Sequence, residues 1–112
     1  MAQSFKRLGA IYPTANSQTN VYVVPAATEA VVSTITVCNQ TSLNASFSIA
    51  LMTASEYAAP APNQSYVIRG GVVPPADTIV LTMGLTANAS SIFAANTNTT
   101  GLSFMMFGSE VS

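Results

Sequence analysis

The chain has 112 residues, the length of one domain with a single hydrophobic core. Charged residues make up 6% of it, against about a quarter in ordinary globular proteins, and it contains no histidine. Lys6 and Arg7 are its only adjacent basic residues, which argues against a nucleic-acid partner because phosphate binding needs several clustered cations.

This low charge is combined with a hydrophobic fraction of 49%. A membrane-spanning helix needs about 20 mostly apolar residues in a row, whereas polar residues interrupt every uncharged stretch here. A membrane barrel is not expected either, because residues 1–10 lack the apolar segment of a signal peptide. Weak charge repulsion between identical copies instead favours a subunit that assembles with itself.

Strand patterns dominate the first half of the chain. Residues 1–10 are interpreted as an N-terminal arm or as the start of a first strand over residues 5–12. Further strands are predicted at residues 20–24, 30–38 and 46–52. The second of these is expected to be central, because it is rich in β-branched residues and has apolar side chains on both faces. The turn-rich residues that follow strand 30–38 predict a hairpin between this strand and strand 46–52.

The longest irregular segment, residues 53–64, contains Pro60 and Pro62 and is predicted to be a loop with a short helical turn at residues 55–58. Long loops often carry binding sites. Strands are predicted to follow at residues 65–69, 78–83, 91–95 and 102–107, the last two joined by a hairpin loop. With about seven or eight strands, residues 1–112 are predicted to form an all-β, single-domain antiparallel β-sandwich, with a flattened barrel as the nearest alternative.

Residues that could carry chemistry are scarce. The absence of histidine excludes Ser–His and Cys–His pairs, and the four carboxylates and Cys38 have no metal-ligand spacing. Glu29 and Glu56 could meet as a carboxylate pair, but two separate loop carboxylates are the simpler interpretation. We therefore predict no catalytic residue, no metal and no cofactor, and a protein that is not an enzyme.

The last predicted strand offers a candidate interface. Met105 and Phe107 alternate with Leu102 and Phe104, so the two pairs point to opposite faces. If Leu102 and Phe104 lie in the core, Met105 and Phe107 form an apolar patch on the outside. Such a patch would mark a contact between subunits.

Two other segments supply candidate interface residues. The N-terminal segment of residues 1–8, with Phe5, Lys6 and Arg7 as its candidate interface residues, could dock on an acidic neighbour, with a frayed terminus as an equal alternative. Tyr57 and Tyr66 flank the long loop and could stack on a sugar, or they could cap the end of the core.

Three segments of the chain are familiar in combination: residues 5–9 (FKRLG), 23–39 (VVPAATEAVVSTITVCN) and 102–110 (LSFMMFGSE). Together they resemble small virion structural proteins of tailed bacteriophages, notably phages of cyanobacteria. The resemblance spans nearly the whole chain, is most specific in the middle segment and is least specific in residues 54–63. It implies a virion component that assembles in the bacterial host cytoplasm, and it transfers no catalytic residue.

Two positions on the particle fit this resemblance. A capsid decoration or cement protein, the leading interpretation, would form a homo-oligomer such as a trimer and bind the major capsid protein. A tail, baseplate or fibre-associated module would bind tail proteins and contact a host-surface glycan through the long loop. A free carbohydrate-binding module is disfavoured by the lack of tryptophan, and a hydrolase by the lack of histidine.

Overall fold

A computed structural model describes residues 3–58 and 61–111 of the chain, except for the side chains of residues 3–5 and 83. It contains eight strands and two short 3-10 turns. The strands are β1 (Gln3–Ile11), β2 (Thr19–Val23), β3 (Glu29–Asn39), β4 (Ala45–Met52), β5 (Tyr66–Val73), β6 (Thr78–Ala87), β7 (Ile92–Thr97) and β8 (Leu102–Val111). The turns cover Ala54–Glu56 and Asn63–Ser65.

All strand pairs are antiparallel, and the strands form two stacked four-stranded sheets. The first sheet has the order β1-β8-β3-β6 and the second has the order β2-β7-β4-β5. This strand order is that of an eight-stranded jelly roll. The predicted antiparallel sandwich is confirmed, and no described strand closes the two sheets into the flattened barrel.

The two predicted hairpins are wrong. β3 and β4 lie in different sheets, and so do β7 and β8. A turn-rich segment shows only that the chain reverses, and it does not distinguish a hairpin from an arch between stacked sheets. β3 pairs instead with β8 and β6, which are distant in sequence, and it has the predicted central position in its sheet.

The core lies between the two sheets. It is built from the inward-facing side chains of the strands in both sheets. Where the sheets meet, the rings of Phe47 on β4 and Phe104 on β8 contact edge to face, with centroids 5.9 Å apart. This arrangement is favourable for aromatic quadrupoles. Members of this core include Val32, Ile35, Val37, Phe47, Ile49, Phe93, Leu102, Phe104 and Met106.

A buried amide joins the sheets at the end of β3. The Asn39 side chain donates hydrogen bonds from Nδ2 to the carbonyl oxygens of Leu43, Val73 and Pro74, over 2.8, 3.0 and 3.2 Å. Its Oδ1 accepts from the backbone N–H and the hydroxyl of Thr41, over 2.9 and 2.7 Å. Asn39 therefore fixes the loop after β3 and also holds the end of β5, in the other sheet.

Replacing this amide should destabilise the fold. Asn39→Ala removes the amide donor from the buried carbonyl of Val73 and from the half-buried carbonyl of Pro74, and we expect it to lower the free energy of unfolding by about 3 kcal/mol. Asn44→Ala, at an exposed position in the same loop, should change it by less than about 0.5 kcal/mol. Urea denaturation of both variants measures the difference, and equal midpoints would contradict the role of Asn39.

Candidate functional site

The outward face of β8 carries the apolar residues that the sequence singled out. Leu102, Phe104 and Met106 are fully buried in the core, as the predicted patch of Met105 and Phe107 on the outside requires. Met105 and Phe107 point to the opposite side of the first sheet, where they are half-buried. Since they have no second sheet above them, their remaining exposed surface faces outward.

Neighbouring strands extend this surface into a patch. In the strand order β1-β8-β3-β6, two adjacent rows of the outer face read Ala10-Met105-Thr36-Val80 and Arg7-Phe107-Thr34-Thr82. We define the outer patch as Thr34, Thr36, Val80, Thr82, Met105 and Phe107. It contains no ionisable side chain, and Val80 is 60% exposed. Arg7 lies at its rim.

The N-terminal segment is a strand over its described part. Phe5, Lys6 and Arg7 belong to β1 and pair with Ser109, Gly108 and Phe107 of β8. The Phe5 side chain lies outside the described residues. Lys6 is engaged within the chain, whereas Arg7 is exposed beside the outer patch. The structure thus gives the two basic residues different surroundings.

Lys6 belongs to a polar cluster that bridges the sheets. Its Nζ lies 2.6 Å from Oε1 of Glu110 on β8, and Tyr22 on β2 donates its hydroxyl hydrogen bond to Oε2. The hydrogen bonds from Lys6 and from Tyr22 hold the pKa of Glu110 below its usual range. Burial, followed by the hydrogen bond and charge of Glu110, raises the pKa of Tyr22 above its usual value. No local pattern predicted this cluster, since its members are far apart in sequence.

The long loop between β4 and β5 is packed against the outer face of the second sheet. Ala61 and Tyr66 cover Ala50, Met52 and Ala94 and form a small second core there. The predicted loop is therefore observed, and its residue Ala61 attaches it to the domain through this second core. Its first 3-10 turn begins one residue before the predicted helical turn.

One side chain from the loop between β1 and β2 holds this long loop in place. The Gln18 amide donates from Nε2 to the carbonyl oxygen of Ala58 over 2.6 Å. Its Oε1 accepts from the backbone N–H of Ala61 over 3.1 Å. Gln18 thus satisfies one donor and one acceptor of the loop and joins it to the edge of the second sheet.

The two loop tyrosines have different environments. Tyr57 is exposed, whereas Tyr66 is half-buried on the second core. The Arg69 guanidinium lies 4.9 Å from the centroid of the Tyr66 ring and donates a hydrogen bond to Oδ1 of Asn63 over 3.1 Å. Because Arg69 covers one ring face and the core contacts the side chain, Tyr66 fits the capping role better than a sugar-stacking role.

The two carboxylates considered as a pair lie on different sheets. Glu29 begins β3 of the first sheet, whereas Glu56 lies in the loop on the second. Glu56 accepts hydrogen bonds from the Thr53 N–H, over 3.1 Å, and from the Ser65 hydroxyl, over 3.5 Å. Within residues 3–58 and 61–111, no three acidic or cysteine side chains form a group that could hold a metal ion.

A shallow cleft of about 190 Å³ lies on the outer face of the second sheet. Its polar lining consists of uncharged amides and hydroxyls: Asn16, Ser46, Ser48, Asn96, Thr97 and Asn98. Sequence reasoning missed it, because the residues come from a loop and two strands that only the fold brings together. Such groups can bind the hydroxyls of a neutral sugar.

No protein-family model, curated protein or solved structure matches this chain. Among the described residues, none of the helical segments has the length and apolar character needed to cross a membrane. The site must therefore be interpreted from its own geometry.

The cluster of Lys6, Tyr22 and Glu110 predicts a characteristic pH dependence. Because the pKa of Glu110 is lowered on folding, its stabilisation is present above about pH 4.5 and is lost as the pH falls below it. Because the pKa of Tyr22 is raised, its stabilisation is present below about pH 10 and is lost as the pH rises above it.

Thermal unfolding across this pH range is the measurement. Glu110→Gln should flatten the acid limb and Tyr22→Phe the alkaline limb, each lowering stability at pH 7 by about 1–3 kcal/mol. Glu29→Gln, which removes an exposed carboxylate, is the matched control and should retain both limbs. Unchanged limbs in the two test variants would contradict the bridging role.

The contacts of Gln18 predict that its loss loosens the long loop. In Gln18→Ala, amide hydrogen exchange at Ala61 should accelerate about tenfold, which corresponds to about 1.4 kcal/mol. Gln40→Ala, which removes an exposed amide bonded to Ser103, should leave this exchange unchanged. Exchange at wild-type rate in Gln18→Ala would show that the loop is held by apolar packing alone.

Proposed function

We propose that this chain is a non-enzymatic structural subunit of a phage particle that attaches to its neighbours through the outer patch. The observation that carries the proposal is the patch itself. Met105, Phe107 and Val80 present apolar surface on the outside of a sheet whose other face is the core. Apolar surface without charge is typical of the centre of a protein–protein contact.

The shape and strand order of the domain support a role in a particle. Its principal extents are 45 × 27 × 19 Å, so it is a flat block that offers one broad side to a neighbour. Jelly rolls build many viral capsid proteins, although lectins and cupins share the architecture. This argument is an analogy at the level of the fold. The resemblance of residues 5–9, 23–39 and 102–110 to phage virion proteins supports the same assignment.

The favoured position on the particle is the head, where the chain would act as a capsid decoration or cement protein. Such a protein needs a broad contact with the shell, and the outer patch supplies an uncharged one. The partner would be the major capsid protein, and the protein would be located in the virion after assembly in the bacterial cytoplasm.

A tail, baseplate or fibre-associated module is the second candidate, and the polar cleft is the observation that favours it. The cleft lies on the second sheet, opposite the outer patch, so a chain attached by the patch would expose it to the surroundings. Its amides and hydroxyls suit a host-surface glycan, with the exposed Tyr57 as the only tyrosine of the loop that is free to stack.

A charge placed in the outer patch should prevent attachment. Met105→Lys puts an ammonium group into an apolar contact, where desolvation of the charge is unfavourable. We expect at least a tenfold lower copy number per purified particle, measured by quantitative mass spectrometry. Hundreds of wild-type copies would indicate the head, and tens or fewer would indicate the tail, as rough expectations from the symmetry of closed assemblies.

Val72→Lys is the control, because it places the same charge on an exposed valine of the second sheet, away from the outer patch. It should be incorporated at the wild-type level. Circular dichroism must show that both variants are folded. Normal incorporation of folded Met105→Lys would refute attachment through the outer patch.

A further inference from the structure

The two sheets have four edge strands, and one of them contains a five-residue segment that has none of the devices that discourage strand pairing. β1 carries Lys6 and Arg7 and a register shift after Arg7. β2 has only five residues and a register shift. β5 carries Arg69 and a bulge at Gly70, whose φ is +78°. Charges, bulges and shortness are the usual means by which proteins protect sheet edges.

β6 contains this segment. It has ten residues, and none of them is charged or a proline. Residues 78–82 pair with β3 without a break, since the register shift opposite β3 falls after Thr82. One side of this segment is bonded to β3, so its other side presents backbone N–H and C=O groups in an extended conformation. Those groups are suited to another β-strand.

The sequence of this segment is symmetric in chemical type about its centre. It reads Thr78-Ile79-Val80-Leu81-Thr82, with threonine at both ends, a large aliphatic residue on each side and valine in the middle. In an antiparallel pair of two such segments centred on Val80, threonine meets threonine, Ile79 meets Leu81, and valine meets valine. These are favourable cross-strand pairs.

The side chains of this segment also have surface left to bury. Ile79 and Leu81 point inward and pack against the core, but they are only partly buried because the sheet ends at β6. Val80 points outward and is the most exposed valine of the chain's described part. A second copy of the segment would cover all three, and it would bring no like charge to the contact.

We propose that residues 78–82 of β6 pair antiparallel with the same residues of a second copy of this chain, about a two-fold axis at Val80. The pair joins the first sheet of one copy to the first sheet of the other, which gives one eight-stranded sheet. The outer patch is then continuous across both copies. The inference rests on the proposed function in that it names the partner in self-assembly. It makes the unit a dimer, whereas the decoration hypothesis named a homo-oligomer with a trimer as its example.

Disulfide trapping tests this register directly. The variants are built in a Cys38→Ala background, because Cys38 lies opposite Thr78 within the chain and would capture a new thiol. Thr78→Cys and Thr82→Cys are purified separately, mixed and oxidised. In the proposed pair, residue 78 faces residue 82 of the second copy, whereas two residues at position 78 lie about 13 Å apart. Disulfides form only when the Cα atoms are within about 7 Å.

The expected result is a covalent dimer in the mixture and little or none from either variant alone. Val80→Cys, on the axis, should form a dimer by itself. Val72→Cys, at a similarly exposed position on β5, should not. If the mixture forms no more dimer than the separate variants do, or if Val80→Cys remains a monomer at high concentration, the pairing is overturned.

The outcome can be separated from that of the proposed function. If the cross-link fails but Met105→Lys still has the expected lower copy number in particles, the β6 pairing is refuted and attachment through the outer patch is retained. A register-specific cross-link together with normal incorporation of Met105→Lys would retain the pairing and remove that attachment. Sedimentation of Val80→Lys adds a second measurement, since two lysines at the axis should abolish a dimer that Val72→Lys retains.

Discussion

The antiparallel pairing of β3 with β8 is the contact on which the rest of this structure depends. The two strands are paired from Glu29 and Val111 at one end to Asn39 and Leu102 at the other. On each side of the register shift between Val32 and Thr34, this register puts alternate residues of both strands into the core and the remaining ones on the outside. A slip of one residue would exchange the faces, placing Met105 and Phe107 inside and Phe104 outside. Core and candidate interface are therefore set by the same register.

Polar contacts tie the two sheets together at both ends of this ladder. Asn39 holds the end of β5 through one buried and one half-buried hydrogen bond, at the end of β3 that pairs with Leu102. Glu110, near the other end, receives Tyr22 from the second sheet and Lys6 from β1. Apolar packing between sheets does not fix their relative position well, because it is non-directional. Directional hydrogen bonds at two separated points can do so.

The few charged side chains are unevenly distributed over the surface, and several of them make contacts within the chain. Lys6 and Glu110 are used within the chain, and Arg69 covers Tyr66 beside the long loop. The outer patch and residues 78–82 of β6 have no charge and are contiguous, since Val80 and Thr82 belong to both. An isolated monomer with such a surface would be prone to association. In a subunit made for assembly, the same property lowers the desolvation penalty of contact.

The sequence by itself determined the all-β class and the two faces of β8, because strand periodicity is a local property and every second side chain must share a face. It also indicated the central position of β3 through apolar residues on both of its faces. Only the tertiary structure decided which strands pair, because the turn after β3 is compatible both with a hairpin and with an arch between sheets. For the same reason it alone brought together Lys6, Tyr22 and Glu110, and placed Gln18 against the long loop. These contacts join residues far apart in the chain, and their geometry follows from the packing of the two sheets, which no local pattern encodes.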